Sequence, residues 1–146
     1  MSCERCHQID RRAFLEAALA AVGLSALTAC AVANPTAPAI TGFTMTLTDY
    51  PALDVVGGIA VVDNGSRSGE PIAVAHTAAT TYVALSLVCP HRGTTVSVVN
   101  NNTSFYCTGH GARFAANGAW TGGQATSNLA TYALTYDQAA GTLQIG

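Results

Sequence analysis

The chain has 146 residues and a formal net charge of −2, with 49% hydrophobic and only 10% charged residues. That length suits one domain with a real core, and six Arg with no Lys against eight Asp plus Glu exclude an electrostatic nucleic-acid binder. The high apolar fraction and low net charge exclude a disordered tail protein, and a single long apolar stretch near the N-terminus excludes a multi-span membrane protein.

Asp10-Arg11-Arg12-Ala13-Phe14-Leu15 opens an Ala/Leu-rich run that continues to Ala33. A basic pair, an apolar stretch and then small residues form a signal-peptide layout. The Arg-Arg-x-Phe-Leu core resembles the twin-arginine export motif, which implies export of a folded, often cofactor-loaded protein. Glu16 and Gly23 interrupt the run, which fits that route better than an ordinary secretory signal or a buried amphipathic helix. Three endings are open. Leu27-Thr28-Ala29-Cys30 reads as a lipobox and makes Cys30 the lipidation candidate, whereas Ala31-Val32-Ala33 reads as an A-x-A cleavage site. Without cleavage the segment is a membrane-anchor helix, since about 20 residues at about 1.5 Å each just span the hydrocarbon core. The lipoprotein ending is favoured, and it places the protein on the periplasmic or cell-surface side, tethered to the membrane through Cys30. Upstream, Cys3-Glu4-Arg5-Cys6-His7 has the form of a c-type haem site. It precedes the arginine pair, on the side that stays cytoplasmic, so zinc or no ligand is expected there and haem is not.

From Asn34 the chain changes character. Residues 34–39 read as a short Pro-containing linker after a 1–33 leader, and residues 40–146 as the folded domain. Phe43-Thr44-Met45-Thr46-Leu47-Thr48 alternates apolar residues with Thr, the period of a half-buried strand. Further strands are predicted at Gly58–Val62, Ile72–Ala75, Tyr82–Leu87, Thr95–Val99, Thr103–Tyr106, Leu129–Tyr136 and Thr142–Ile145. Breakers separate them at Asp63-Asn64-Gly65-Ser66, Asn100-Asn101-Asn102, Asn117-Gly118 and Gly122-Gly123. Many short strands with closely spaced turns predict an all-β antiparallel sandwich or barrel.

The chemistry is concentrated in a few residues. Of five Cys and four His, only Cys89, Cys107, His76, His91 and His110 belong to the folded domain. Cys89-Pro90-His91 and Cys107-Thr108-Gly109-His110 hold both of its Cys and two of its three His, separated by 15 residues. Gly93 and Gly111 follow the two pairs and let a loop curl closely around a compact inorganic group. Two thiolates and two imidazoles on facing loops suit a soft metal centre. A disulfide is conceivable in an oxidising compartment but leaves both His unexplained. A Cys2His2 zinc site is chemically possible, although such sites usually pair Cys with Cys and His with His locally. His76 matches no motif and is expected to be a partly exposed strand residue.

The mixed C-x-H and C-x-x-H pattern resembles the Rieske family, whose 2Fe-2S cluster has two Cys on one iron and two His on the other. Cys89-Pro90-His91-Arg92-Gly93 and Cys107-Thr108-Gly109-His110-Gly111-Ala112-Arg113-Phe114 look like its two cluster-binding loops, and the flanking strands fit a Rieske domain over residues 40–146. The resemblance implies one cluster per chain, with Cys89 and Cys107 on one iron and His91 and His110 on the other. Two neutral imidazoles in place of two thiolates remove negative charge, which raises the potential above that of an all-Cys cluster. Rieske proteins of cytochrome bc complexes add a disulfide between the loops, at positions that hold Thr94 and Gly109 here. They also place Ser and Tyr donors where this chain has Ala112 and Phe114, which cannot donate through their side chains. The expected potential is therefore in the lower part of the Rieske range of roughly −150 to +300 mV.

A cluster whose metal positions are all filled by protein has no open site for substrate. Rieske oxygenases add a mononuclear iron held by two His and a carboxylate, and only His76 is spare here. The expectation is thus an electron carrier or small redox subunit, not an oxygenase catalytic subunit. Its partners would be redox proteins: a cytochrome, a quinol-oxidising bc-type complex, or the large subunit of an arsenite-oxidase-like enzyme. A structural zinc lipoprotein and a disulfide-bonded structural domain are the non-redox alternatives. Arg92, Arg113 and the region of Trp120 are the candidate partner face, with loop packing the plainer role for Trp120.

Overall fold

The computed structural model describes residues 33–146; the leader through Val32, with Cys30 and the Cys3–His7 motif, lies outside the described residues. Eleven strands form three antiparallel sheets among these residues. β1 (Phe43–Thr46) alternates as its sequence predicts, with Met45 buried between exposed Thr44 and Thr46. Strand pairing stops there because two 3-10 turns, Leu47–Asp49 and Pro51–Asp54, follow, the second opened by the fixed φ of Pro51. β1 pairs with β11 (Thr142–Ile145), which also pairs with β10 (Leu134–Asp137).

The central sheet runs β2 (Ile59–Asn64), β3 (Pro71–Ala78), β4 (Thr81–Ser86), β9 (Thr131–Tyr132). Ile72 through His76 of β3 are all buried, because the sheet has a core on each face. Ala73, Ala75 and Leu85 pack on one side with Leu87, Val96, Phe105 and Phe114. Ile72, Val74 and Ala84 pack on the other with Met45, Leu53, Leu143 and Ile145. A strand covered on both faces reads as a continuous apolar run rather than an alternation. The short β9 is held by more than its pairing: Tyr132 and Ser86 both donate to Glu70 Oε2, each at 3.1 Å. Burial and that Glu70 bond push the Tyr132 phenol above its ordinary value.

The third sheet runs β5 (Val96–Val99), β6 (Ser104–Cys107), β7 (Arg113–Ala115), β8 (Trp120–Gly122). Asn100, Asn101 and Asn102 make the β5–β6 turn in left-handed conformations, with φ of 53°, 53° and 63°, which Asn tolerates better than most residues.

Three expectations need correction. Leu129–Tyr136 is two strands, since the chain passes at Ala133 from the central sheet, beside β4, to the sheet of β11. β7 and β8 replace what reads as loop; three-residue strands next to turn residues carry no usable period. His76 is buried at 6% exposure, not partly exposed. Its Nδ1 lies 2.8 Å from the Leu53 carbonyl, its ring stacks on Tyr82 at 4.5 Å, and its Nε2 has no hydrogen-bond partner. Residues 35–37 lie along the domain, with Ala37 and Thr131 donating to the Thr131 and Pro35 carbonyls, each at 2.7 Å. Among the described residues no helix is long and apolar enough to cross a membrane.

Candidate metal centre

The two loops that carry Cys89 and Cys107 close in the same way. In the first, the Cys89 amide donates to the Thr94 carbonyl at 2.9 Å and the Gly93 amide donates back to the Cys89 carbonyl at 2.8 Å. In the second, Cys107 donates to the Ala112 carbonyl at 2.8 Å and Gly111 to the Cys107 carbonyl at 2.9 Å. The closing residue stands four positions after each Cys, with φ of 73° at Gly93 and 79° at Gly111. Both angles lie in the left-handed region that favours glycine.

This closure turns the amides after each Cys inward. The N–H groups of His91 and Arg92 donate to the Cys89 sulfur, and those of Gly109 and His110 to the Cys107 sulfur. Both thiols are free and 1% exposed, packed in the core that holds Phe105, Ala112 and Phe114. They lie close enough to hydrogen-bond each other. Burial pushes the Cys89 thiol up, and its bond to Cys107 adds to the effect. Burial opposes ionisation of Cys107 too, but the bond from Cys89, the two amides and the Thr94 hydroxyl outweigh it, so Cys107 falls below its ordinary value.

The imidazoles sit at the outer end of the same loops, with His91 half-buried and His110 exposed. Their Nδ1 atoms face each other at 3.2 Å, with ring planes 88° apart. Desolvation, then the proximity of His110 and of Arg92, lowers the His91 pKa. Among the described residues no three His, Cys, Asp or Glu side chains converge as a single-ion site would require. The candidate donors come as a buried thiol pair and an imidazole pair nearer the surface, which fits a binuclear group with two protein donors per metal.

The residues around these donors divide by what they touch. Gly109 has no room for a side chain, because a Cβ there would lie 2.7 Å from Thr94 Oγ1 and 3.3 Å from Thr94 Cβ. Thr94 therefore seats the first loop against the second where no disulfide is possible. Its hydroxyl also donates to the Cys107 sulfur, a donor that the sequence reading does not anticipate. Ala112 and Phe114 are fully buried against the thiols' core. Gly123, outside both motifs, lies against the second loop at Gly111. On the surface, Arg92 and Arg113 are exposed, and Trp120 is 39% exposed with its indole N–H held by the Gln124 carbonyl at 3.0 Å.

Comparison with known proteins follows the same lines. Residues 54–133, more than half of the chain, match the family described as Rieske [2Fe-2S] domain. The cyanobacterial plasma membrane Rieske protein PetC3 from Synechocystis PCC 6803 is 29% identical over 53% of this chain and 78% of its own, with a TM-score of 0.47. Naphthalene 1,2-dioxygenase with indole bound in the active site is 20% identical over 73% of this chain, with a TM-score of 0.56. A mutant of that enzyme bound to phenanthrene is likewise 20% identical, with a TM-score of 0.57. The match spans only 26% of each dioxygenase chain and speaks for the fold alone. No curated protein matches the chain. With its two like-closed loops on antiparallel sheets and a family match over most of the described residues, the chain belongs to the Rieske family, whose domain binds one 2Fe-2S cluster and transfers single electrons.

Proposed function

We propose that this protein is an exported, membrane-tethered one-electron carrier or small redox subunit, in which Cys89 and Cys107 hold one iron and His91 and His110 the other. The observation that carries the ligand set is the pairing itself: two buried thiols that face each other and two imidazoles whose Nδ1 atoms meet at 3.2 Å. The bound cluster supplies a one-electron couple. The chain's residues do the rest. Inward amides at both sulfurs offset thiolate charge, and burial keeps water from the thiol end. With Nδ1 as the donor atom of each ring, the Nε2 of both would be left for a hydrogen bond to solvent or a partner. The half-buried His91 and exposed His110 give the electron its exit edge, with Arg92, Arg113 and Trp120 as the neighbouring partner face.

Export and tethering rest on the twin-arginine-like Arg11-Arg12 and the lipobox ending at Cys30, with the division into a 1–33 leader, a 34–39 linker and a 40–146 domain. Redox partners are a cytochrome or an oxidoreductase large subunit, such as that of an arsenite-oxidase-like enzyme. A quinol-oxidising bc-type complex is disfavoured, because Thr94 and Gly109 cannot form its loop disulfide and Ala112 and Phe114 cannot supply its donors.

The test is low-temperature electron paramagnetic resonance of dithionite-reduced protein, with iron and zinc analysis. A rhombic signal of the mixed His/Cys type with about two irons per chain is the expected result. A silent sample with one zinc per chain would replace electron transfer by a structural metal role. Ala112→Ser and Phe114→Tyr should each raise the potential by some tens of millivolts, because an added donor stabilises the more negative reduced cluster. Voltammetry that finds neither shifted, with cluster intact, contradicts the low-potential account.

A further inference from the structure

Thr94 stands at a crossing of the two loops. It follows the closing Gly93 of the first loop as Ala112 follows the closing Gly111 of the second, and its carbonyl accepts the Cys89 amide as the Ala112 carbonyl accepts that of Cys107. The two positions are thus equivalent in backbone and differ in side chain. Ala112 has no side-chain donor, whereas Thr94 has a hydroxyl. That hydroxyl is held by the opposite loop, where only a residue without Cβ at 109 leaves it space: a Cβ there would sit 2.7 Å from Oγ1. Gly109 is itself one of the residues whose amide faces the Cys107 sulfur.

We infer that the Thr94 hydroxyl is a positioning residue for the metal centre, donating across the loop interface to the Cys107 sulfur and so raising the potential while it seats Gly109. The inference rests on the proposed role of Cys107 as a ligand. It identifies a cross-loop hydroxyl donor, in place of any covalent link, as the element that joins the loops and tunes the cluster together. A donor to a ligand sulfur favours the more negative, reduced state, so removing it lowers the potential. A tenfold change in the one-electron equilibrium corresponds to about 59 mV.

The experiment compares Thr94→Val, which keeps shape and loses the hydroxyl, with Thr94→Ser, which keeps the hydroxyl and loses the methyl group. Iron content, the paramagnetic resonance signal and the reduction potential are read on the full-length protein. The expected result is that Thr94→Val shifts the equilibrium toward the oxidised cluster about tenfold, about 59 mV, while Thr94→Ser keeps the wild-type potential. Loss of iron in Thr94→Val with normal iron and potential in Thr94→Ser supports the same role. An unshifted potential in Thr94→Val, an equal shift in both variants, or loss of iron from both would overturn it, since packing would then explain the position. A wild-type protein with no His/Cys-type signal would instead overturn the ligand assignment on which the inference rests.

Discussion

Gly123→Ala should empty the metal centre without altering any of its donors. Gly123 follows β8 with φ of +74°, and a Cβ added to it would lie 1.8 Å from the Gly111 carbonyl oxygen and 2.8 Å from its carbon. Both are backbone atoms, so no side chain can swing aside to make room. Gly111 is the residue that closes the second loop onto Cys107, and a shift there moves the amides that face the sulfur. The left-handed conformation alone costs a non-glycine residue about 1–2 kcal/mol, and the collision brings the loss to about 3 kcal/mol or more. Gly141→Ala is the control: its φ is +65°, but nothing lies within 4 Å of the added methyl. The control should lose about 1 kcal/mol and retain full iron, while Gly123→Ala loses most of its iron and melts clearly earlier. Equal iron and equal stability in the two variants would mean that β8 does not support the loop.

The second large effect is on stability at a site remote in sequence from the loops. Asp63 sits where the β2–β3 register shifts, and it is buried at 5% exposure. Its two oxygens accept from the Ser66 and Ser68 hydroxyls at 2.9 and 2.7 Å and from the amides of Ser66, Arg67 and Ser68 at 3.0–3.3 Å. Burial pushes this carboxyl up, but the bonds from Ser68, Ser66 and Arg67 outweigh it and hold it at about 2 against an ordinary 3.8. A carboxyl lowered by folding stabilises the folded state fully above its unfolded value, and the gain fades as pH falls toward the folded one. Asp63→Asn should therefore lose roughly 2–3 kcal/mol near neutral pH, as bonds to a charged acceptor weaken and some donors lose their partner. Urea midpoints at pH 7, 4 and 2 should show the gap between wild type and variant narrowing from pH 4 to pH 2. A gap of constant size across that range would mean that the carboxylate charge contributes nothing.

How far these features can be read from the sequence depends on whether they are local. β1 and β11 show themselves because each buries one face, leaving a period of two in Phe43–Thr46 and Thr142–Ile145. The two Cys/His loop motifs show themselves because Cys and His are rare and closely spaced. The break at Ala133 is hidden because apolar spacing continues through it while the hydrogen-bond partner changes from β4 to β11. His76 misleads because a polar residue at the end of an apolar run resembles an exposed strand end. Its cover comes from Leu53 and Tyr82, and Leu53 lies 23 residues away. The loop motifs mark Thr94 and Gly109 as the positions of a disulfide in related proteins, but the packing of Thr94 on Gly109 and of Gly123 on Gly111 joins separate segments of the chain and has no local signal.

The unequal exposure of the two donor pairs has a kinetic side. When an electron arrives, the surroundings must rearrange around a changed charge, and the cost of that rearrangement governs how fast exchange can be. At the thiol end the amide dipoles are fixed by the loop closures and solvent is excluded, so little there has to turn. At the imidazole end, where His110 is exposed, water does the reorienting. With His91 and His110 as the proposed iron ligands, a partner that covered the His110 edge on docking would displace this water, so contact itself would lower the reorganisation cost on that side of the cluster.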